Sequence, residues 1–192
     1  MGREFNMGNS KIILASKSPR RKELLRLITE NFEICVPNVA EIMPKEIPAT
    51  EFPEYIACKK ALAVSLENPS FIVIGADTAV FVGDKILGKP QTPAEAYSML
   101  KSLSGKTHKV ITGCAIFCGK KSLSFSVETD VEFFALSDSE INDYIATNEP
   151  FDKAGGYGIQ SKGSLFIKKI NGDYFNVVGL PISTLSRYLQ DF

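Results

Sequence analysis

Hydrophobic residues recur along this chain with two kinds of spacing, and these spacings predict its strands and helices. Continuous or alternating apolar runs indicate strands, whereas an apolar residue every three or four positions indicates an amphipathic helix. The predicted strands cover residues 11–15, 32–37, 70–82, 108–118, 122–135 and 164–170. The predicted helices cover residues 19–28, 53–66, 93–103, 138–147 and 181–189. Strands and helices are mixed without strict alternation, so we predict an α/β fold with a mixed sheet.

The most apolar stretch of the chain, residues 70–82, is interrupted by Gly75-Ala-Asp-Thr78. This interruption predicts two buried strand pieces around a bend. Asp77 lies in the predicted bend, where a buried and unpaired carboxylate would be strongly destabilising. We therefore expect Asp77 to be exposed at a cleft or paired with a cation. The ordinary alternative is an acid that caps a tight bend.

The first predicted helix begins with a concentration of positive charge. Ser18 is the predicted N-cap and Pro19 the first helical residue. The basic residues of this turn are Lys17, Arg20, Arg21 and Lys22. The N-terminus of a helix is itself positive, so these charges repel one another unless a phosphate or carboxylate binds there. A solvated basic turn is the alternative, and this segment alone favours neither.

Three other features could bind a ligand, and each has an ordinary explanation. Lys89 lies in a stiff Gly-Lys-Pro turn, where it could hold a phosphate oxygen or remain solvated. Lys59 and Lys60 both emerge from the apolar side of the helix over 53–66, and periodicity does not choose between them. Residues 152–160 combine charges, glycines, one aromatic ring and one amide, which suits either a ligand loop or a flexible surface loop.

Composition narrows the class of protein. Lys plus Arg and Asp plus Glu both total 22, so no net charge favours nucleic acid or a membrane surface. Four dispersed cysteines suggest neither a disulfide framework nor a zinc site, and the single histidine lacks the context of a catalytic triad. The N-terminal residues show no apolar signal-peptide core, so we expect a cytoplasmic protein. We expect residues 1–10 to be a loose lead-in and residues 11–192 to form a single domain with two lobes around a cleft.

Six motifs, taken in order, resemble those of the Maf family of nucleoside triphosphate pyrophosphatases. They are S-K-S-P-R-R-x-E-L-L, I-G-A-D-T, L-G-K-P, S-G-K-T-H-x-V, E-P-x-D-K-A-G-x-Y-x-I-Q and N-V-V-G-L-P, and they span about residues 11–189. The resemblance implies an elongated mixed β-sheet flanked by helices, with two lobes around a cleft, as in the inosine triphosphate pyrophosphatases. It also implies hydrolysis between the α and β phosphates, which yields a monophosphate and pyrophosphate with the help of Mg²⁺ or Mn²⁺.

The same resemblance assigns roles to individual residues. Asp77 matches the catalytic acid, and Glu41 with Asp77 matches the metal-binding carboxylates. The phosphate-binding cations are Arg20, Arg21, Lys60 and Lys89, with the hydroxyls of Ser16 and Ser18 as further donors. By the same match, Arg21, Thr78 and Gln160 determine which nucleobase is accepted. Lys153 together with Gln160 marks the subgroup that prefers dTTP and UTP. This chain departs from the family pattern at Gly156, where alanine is usual, and at Ser161, where glycine is usual.

Two other functions compete with this interpretation. One is a nucleotide-binding regulator of septum formation, which needs the phosphate cradle but not a water-activating acid. The other is the same reaction on 7-methyl-GTP or inosine triphosphate, for which the loop over residues 152–160 is the discriminating feature. The partner expected in either case is a nucleotide, and a homodimer is implied by the family alone.

Overall fold

A computed structural model describes residues 11–192; the predicted lead-in over residues 1–10 lies outside the described residues. The described strands are β1 (Ile12–Ala15), β2 (Phe32–Ile34), β3 (Ile72–Val82), β4 (Lys85–Leu87), β5 (Thr107–Cys118), β6 (Lys121–Phe133) and β7 (Ile167–Asn171). The described helices are α1 (Pro19–Arg26), α2 (Phe52–Glu67), α3 (Pro93–Leu103), α4 (Asp138–Ile145), α5 (Tyr174–Val178) and α6 (Ile182–Tyr188). Short 3₁₀ turns cover much of residues 149–166.

The described strands form one mixed sheet in the order β2-β1-β3-β5-β6-β7, with β4 paired to β3. Strand β1 is parallel to both β2 and β3, whereas the β3–β4 and β6–β7 pairs are antiparallel. A parallel pair needs a crossover connection, and α1 and α2 lie in the connections between the parallel strands. The prediction of an α/β fold with a mixed sheet flanked by helices is confirmed.

The predicted bend at residues 75–78 is wrong, because β3 is one continuous strand of eleven residues. Gly75 is instead the position at which helix α2 packs against the strand. A Cβ atom built at Gly75 would lie 2.3 Å from the Ala57 carbonyl oxygen and 2.9 Å from the Ala61 Cβ of helix α2. The glycine therefore lets the helix approach the strand closely, and the strand continues through it without turning.

Other element boundaries also differ from the predictions. Helix α1 ends at Arg26, two residues before the predicted end at residue 28, and Leu27 is 65% exposed. The last predicted strand begins three residues late, at Ile167, because a 3₁₀ turn occupies Lys162–Phe166. Helix α5 was not predicted. The Ser137 hydroxyl and the Glu140 carboxylate form a capping box at the start of α4.

The chain divides into two compact units. Unit 1 contains the described residues up to Asp77, together with Thr112–Val127 and Gly179–Phe192, and unit 2 contains Thr78–Ile111 and Glu128–Val178. Each unit has its own apolar cluster. In unit 1 the cluster is Ile13, Ala15, Ala57, Ala61, Val64, Val73 and Ala115. In unit 2 it centres on α3, α4, Phe133 and Tyr157. The two predicted lobes correspond to these units, and the cleft stays a prediction.

The four cysteines are free thiols, and burial raises the pKa of Cys114 to about 12, consistent with a packing residue. None of the six helices within residues 11–192 combines the length and hydropathy that a membrane-spanning segment requires.

The single histidine lies in the core of unit 2. His108 is 2% exposed, its Nε2 atom lies 2.7 Å from the Tyr157 hydroxyl, and its ring meets Phe133 edge to face. Its Nδ1 atom has no hydrogen-bond partner within the described part of the chain. Burial lowers the pKa of His108 to about 4, so the ring is neutral at pH 7.

Replacement of Gly75 by alanine tests the close approach of α2 to β3. Because the new methyl group would meet a helix carbonyl oxygen, we expect Gly75→Ala to lower the free energy of unfolding by about 1–3 kcal/mol or more. Guanidinium denaturation monitored by circular dichroism measures this change. Gly88→Ala is the matched control, since no atom lies within 4 Å of a Cβ built there. Equal stability of the two variants would contradict the packing argument.

The buried histidine also predicts a pH dependence of stability. Between pH 4 and pH 6.5 the unfolded chain binds a proton on His108 that the folded chain does not, so stability falls as the pH falls through this window. From pH 7 to pH 5 we expect the wild type to lose about 2 kcal/mol more than His108→Gln, which cannot titrate. Denaturation curves of both proteins at the two pH values measure the difference. Parallel losses would mean that His108 titrates normally in the folded state.

Candidate active site

The N-terminus of α1 carries positive charge with no acidic residue in its first turn. The Ser18 hydroxyl caps the helix by accepting a hydrogen bond from the Arg21 amide at 3.4 Å. The buried Ser16 hydroxyl accepts hydrogen bonds from the Ser18 amide at 3.2 Å and from the Arg21 guanidinium at 3.3 Å. The structure thus brings Ser16, Ser18 and Arg21 together at a helix N-terminus, which is a favourable place for an anion.

Arg21 is held by backbone as well as by hydroxyls. Its Nε atom donates to the Gly179 carbonyl oxygen at 2.8 Å. Burial lowers the pKa of Arg21, while the nearby Asp77 carboxylate opposes that shift. A guanidinium remains protonated in proteins, so Arg21 is a fixed positive charge whose direction is set by Gly179 and Ser16. Sequence reasoning missed Gly179 as a partner of Arg21, although Gly179 lies in the N-V-V-G-L-P motif.

A second cluster joins helix α2 to strand β3. The Lys60 ammonium lies 2.7 Å from an Asp77 carboxylate oxygen and 2.7 Å from a Glu41 carboxylate oxygen. The side chains of Lys60 and Asp77 are 12% and 16% exposed, whereas that of Glu41 is 57% exposed. Asp77 is therefore paired with a cation, which is one of the two alternatives predicted for it.

The structure distinguishes the two lysines that periodicity left equivalent. Lys59 donates to the Ala40 carbonyl oxygen at 2.9 Å and lies over the Tyr55 ring. Lys60 instead reaches both carboxylates of the cluster. The choice of Lys60, which the sequence could take only from the family resemblance, agrees with this geometry.

The two carboxylates are suited to a divalent cation. Because both contact the same nitrogen atom, their oxygens lie no more than twice 2.7 Å apart. Residues 11–192 contain no group of three or more histidine, cysteine and acidic side chains placed to hold a metal ion. Mg²⁺ commonly takes one or two protein carboxylates and completes its shell with phosphate oxygens and water. The donor set therefore fits a cation that arrives with a phosphorylated ligand.

Three further predicted residues, Thr78, Lys89 and Gln160, belong to unit 2. Thr78 follows Asp77 directly on β3 and is partly buried. Lys89 is exposed in the turn before α3, where the preceding Gly88 carbonyl accepts a hydrogen bond from the Gly155 amide at 2.9 Å. Gln160 is exposed between two 3₁₀ turns. Their roles toward a shared ligand stay predictions, as does that of the partly buried Arg20 on α1.

Lys153 is a structural part of its loop. Its ammonium donates to the Glu149 carbonyl oxygen at 2.9 Å and pairs with Asp152 at 2.6 Å. Its aliphatic stem packs so closely that a Cβ atom at Gly158 would lie 2.6 Å from the Lys153 Cε atom. The lysine thus shapes the loop before Gln160. Sequence reasoning missed Glu149, although the motif that begins with it was recognised.

Solved structures place this fold in a known class. The Ham1 protein of Staphylococcus aureus matches with a TM-score of 0.57 at 13% identity, over 95% of this chain and 99% of that one. A HAM1 protein from Coxiella burnetii matches with a TM-score of 0.55 at 13% identity, over 95% of this chain and 100% of that one. At this level of identity the likeness shows the fold alone.

Sequence relatives define the family. The model of the Maf-like protein family matches residues 11–192. A dTTP/UTP pyrophosphatase of Bacillus thuringiensis subsp. konkukian is 52% identical over 182 residues, which are 95% of each chain. A dTTP/UTP pyrophosphatase of Bacillus cereus is 51% identical over the same shares of both chains. The chain belongs to the Maf-like protein family, as the six motifs predicted.

Removal of Lys60 tests the paired-charge cluster. Lys60→Ala would leave the partly buried Asp77 carboxylate without its cation, so we expect the free energy of unfolding to fall by about 1–3 kcal/mol. Lys59→Ala is the matched control on the same helix. Because Lys59 makes an exposed contact, its loss should cost less than about 1 kcal/mol. Urea denaturation at pH 7 measures both changes, and equal losses would contradict the assignment of the buried pair to Lys60.

Proposed function

We propose that this chain is a nucleoside triphosphate pyrophosphatase that hydrolyses dTTP and UTP to the monophosphate and pyrophosphate. The observation that carries the proposal is the Lys60 ammonium held between the Asp77 and Glu41 carboxylates in unit 1. The names and the 51–52% identity of the relatives from Bacillus support the choice of substrate. A cytoplasmic location and a homodimer remain predictions from the sequence and its family.

Hydrolysis of a phosphoric anhydride needs positive charge around the phosphate oxygens and little covalent participation by the protein. In this proposal the N-terminus of α1 supplies that positive charge. Arg21 is oriented by two hydrogen bonds, and the Ser16 and Ser18 hydroxyls lie beside it. Lys60 provides an ammonium that can move from the carboxylates to a phosphate oxygen, since the lysine stem has several rotatable bonds. Arg20 and Lys89 are proposed as further phosphate contacts.

The water-activating group in this proposal is Asp77. Its carboxylate accepts a proton from a water that attacks the α phosphorus, the bond from that phosphorus to the bridging oxygen breaks, and pyrophosphate leaves. Glu41 and Asp77 would hold a divalent cation, Mg²⁺ or Mn²⁺. When bound, the cation neutralises charge on the phosphate oxygens. The carboxylate pair supports this role because it offers the hard oxygen ligands that such cations prefer.

Base choice is proposed for residues of unit 2, with Arg21 contributing from α1. The amide of Gln160 offers one donor and one acceptor, which matches the edge of uracil or thymine. Thr78, next to Asp77 on β3, supplies a hydroxyl. The exposure of Gln160 supports the assignment, because its amide is accessible to a ligand.

The proposed reaction is tested by monophosphate and pyrophosphate release from dTTP, UTP, CTP, GTP and 7-methyl-GTP with Mg²⁺ or Mn²⁺. We expect selective release from dTTP and UTP. Because Asp77 is proposed as the base, Asp77→Asn should lower kcat by about 10²- to 10⁴-fold. Asp84→Asn is the control, since Asp84 is an exposed carboxylate in the turn between β3 and β4.

Two outcomes would contradict the proposal. Near-normal turnover by Asp77→Asn would remove Asp77 from the chemistry. Binding of triphosphates by the wild type without release from any of them would instead favour the nucleotide-binding regulator.

A further inference from the structure

The segment that contains Gln160 has little regular secondary structure, yet hydrogen bonds hold its backbone. Gln160 itself is exposed and lies between the 3₁₀ turns Ala154–Gly156 and Lys162–Phe166. An exposed amide on a loop discriminates between bases only if the backbone on both sides of it is fixed. The contacts of that backbone therefore determine how well Gln160 can discriminate between bases.

One carboxylate holds the side of the segment that follows Gln160. Glu149 accepts four hydrogen bonds. Three come from consecutive residues: the Ser161 hydroxyl, the Lys162 amide at 3.2 Å and the Gly163 amide at 3.4 Å. These residues directly follow Gln160 in the chain. Hydrogen bonds to a charged acceptor are stronger than neutral ones, so one side chain anchors the whole turn.

The fourth hydrogen bond extends the anchor to the other side of Gln160. The Tyr144 hydroxyl of α4 donates to the Glu149 carboxylate at 2.7 Å and accepts from the Gly158 amide at 3.2 Å. Gly158 and Gly163 also touch, because a Cβ atom at Gly163 would lie 2.8 Å from the Gly158 carbonyl oxygen. Residues 158–163 therefore form a closed loop that is tied to α4 through Tyr144.

The electrostatics of this anchor agree with its geometry. Partial burial raises the pKa of Glu149, but the hydrogen bonds from Ser161, Tyr144 and Gly163 outweigh burial and bring the pKa below its ordinary value. Burial and the hydrogen bond to Glu149 raise the pKa of Tyr144. At neutral pH the pair is thus a charged acceptor and a neutral donor.

We propose that Glu149 is a positioning residue for base selection, which acts by holding the loop of Gln160 through Ser161, Lys162, Gly163 and Tyr144. The inference rests on the proposed function, since it needs Gln160 to contact a base. Uracil and cytosine differ at one edge in the direction of hydrogen bonding, so an amide must present its donor and acceptor in a fixed orientation to separate them. The anchored neighbours of Gln160 provide that orientation.

Ser161 allows the anchor to be weakened without removal of the carboxylate. Its hydroxyl supplies one of the four hydrogen bonds to Glu149. Ser161→Gly removes that hydrogen bond alone, whereas Glu149→Gln removes the charge that strengthens all of them. The two variants should therefore affect selectivity in the same direction and to different extents.

The test measures kcat and KM for UTP and CTP in the wild type, Glu149→Gln, Ser161→Gly, Gln160→Ala and the double variant Glu149→Gln/Gln160→Ala. We expect Glu149→Gln to lower the preference for UTP over CTP by about five- to tenfold, mainly through the KM for UTP. Ser161→Gly should show a smaller loss. In the Gln160→Ala background, Glu149→Gln should leave selectivity unchanged, because the group it positions is absent. Glu128→Gln, which removes an exposed carboxylate paired with Lys109, is the control.

Amide hydrogen exchange measures the anchor without any turnover. Glu149→Gln should speed exchange at Lys162 and Gly163, whereas Glu128→Gln should not. An unchanged UTP preference in Glu149→Gln, equal losses for UTP and CTP, or additive effects in the double variant would overturn the inference, and so would unchanged exchange. Failure of the proposed function would appear separately, as absence of pyrophosphate release by the wild type.

Discussion

The close packing of helix α2 on strand β3 determines where the charges of the candidate site meet. Gly75 admits the backbone of α2 at Ala57, and Ala61 lies against the same glycine. Lys60 is on the same side of the helix as these two alanines, and Asp77 is on the same side of the strand as Gly75. The contact between small residues therefore brings the Lys60 ammonium to the Asp77 carboxylate, and Glu41 completes the cluster.

The two units contain different kinds of polar contact. In unit 1 two charged and partly buried side chains are directed by their neighbours: Arg21 by Gly179 and Ser16, and Lys60 by two carboxylates. In unit 2 the polar contacts hold the irregular loop that contains Gln160. There Tyr144 and Glu149 form hydrogen bonds to residues 158 and 161–163 of the loop, while His108 contacts Tyr157 in the apolar core. The imidazole of His108 is neutral in this apolar core, because a charged ring would be poorly solvated there.

The comparisons carry different information about this chain. Similarity to the Ham1 structures at 13% identity shows the fold alone, a mixed sheet with its helices, and has no bearing on the substrate. The match to the dTTP/UTP pyrophosphatase of Bacillus thuringiensis covers 95% of this chain and therefore reaches both units. The structure adds the contacts of Lys153, whose stem packs against Gly158 and whose ammonium donates to the Glu149 carbonyl oxygen.

The sequence by itself determined the fold class, most elements and the family. These follow from local patterns: apolar periodicity, the caps at Ser18, Thr92 and Ser137, and the order of six motifs. Only the tertiary structure decided that β3 passes straight through Gly75, because a glycine in a strand looks the same in a bend and in a close contact with a helix. The same holds for which of Lys59 and Lys60 contacts the two carboxylates and for the hydrogen bonds that Glu149 accepts. In each case the partner lies far along the chain or in irregular backbone, and periodicity carries no information about such a contact.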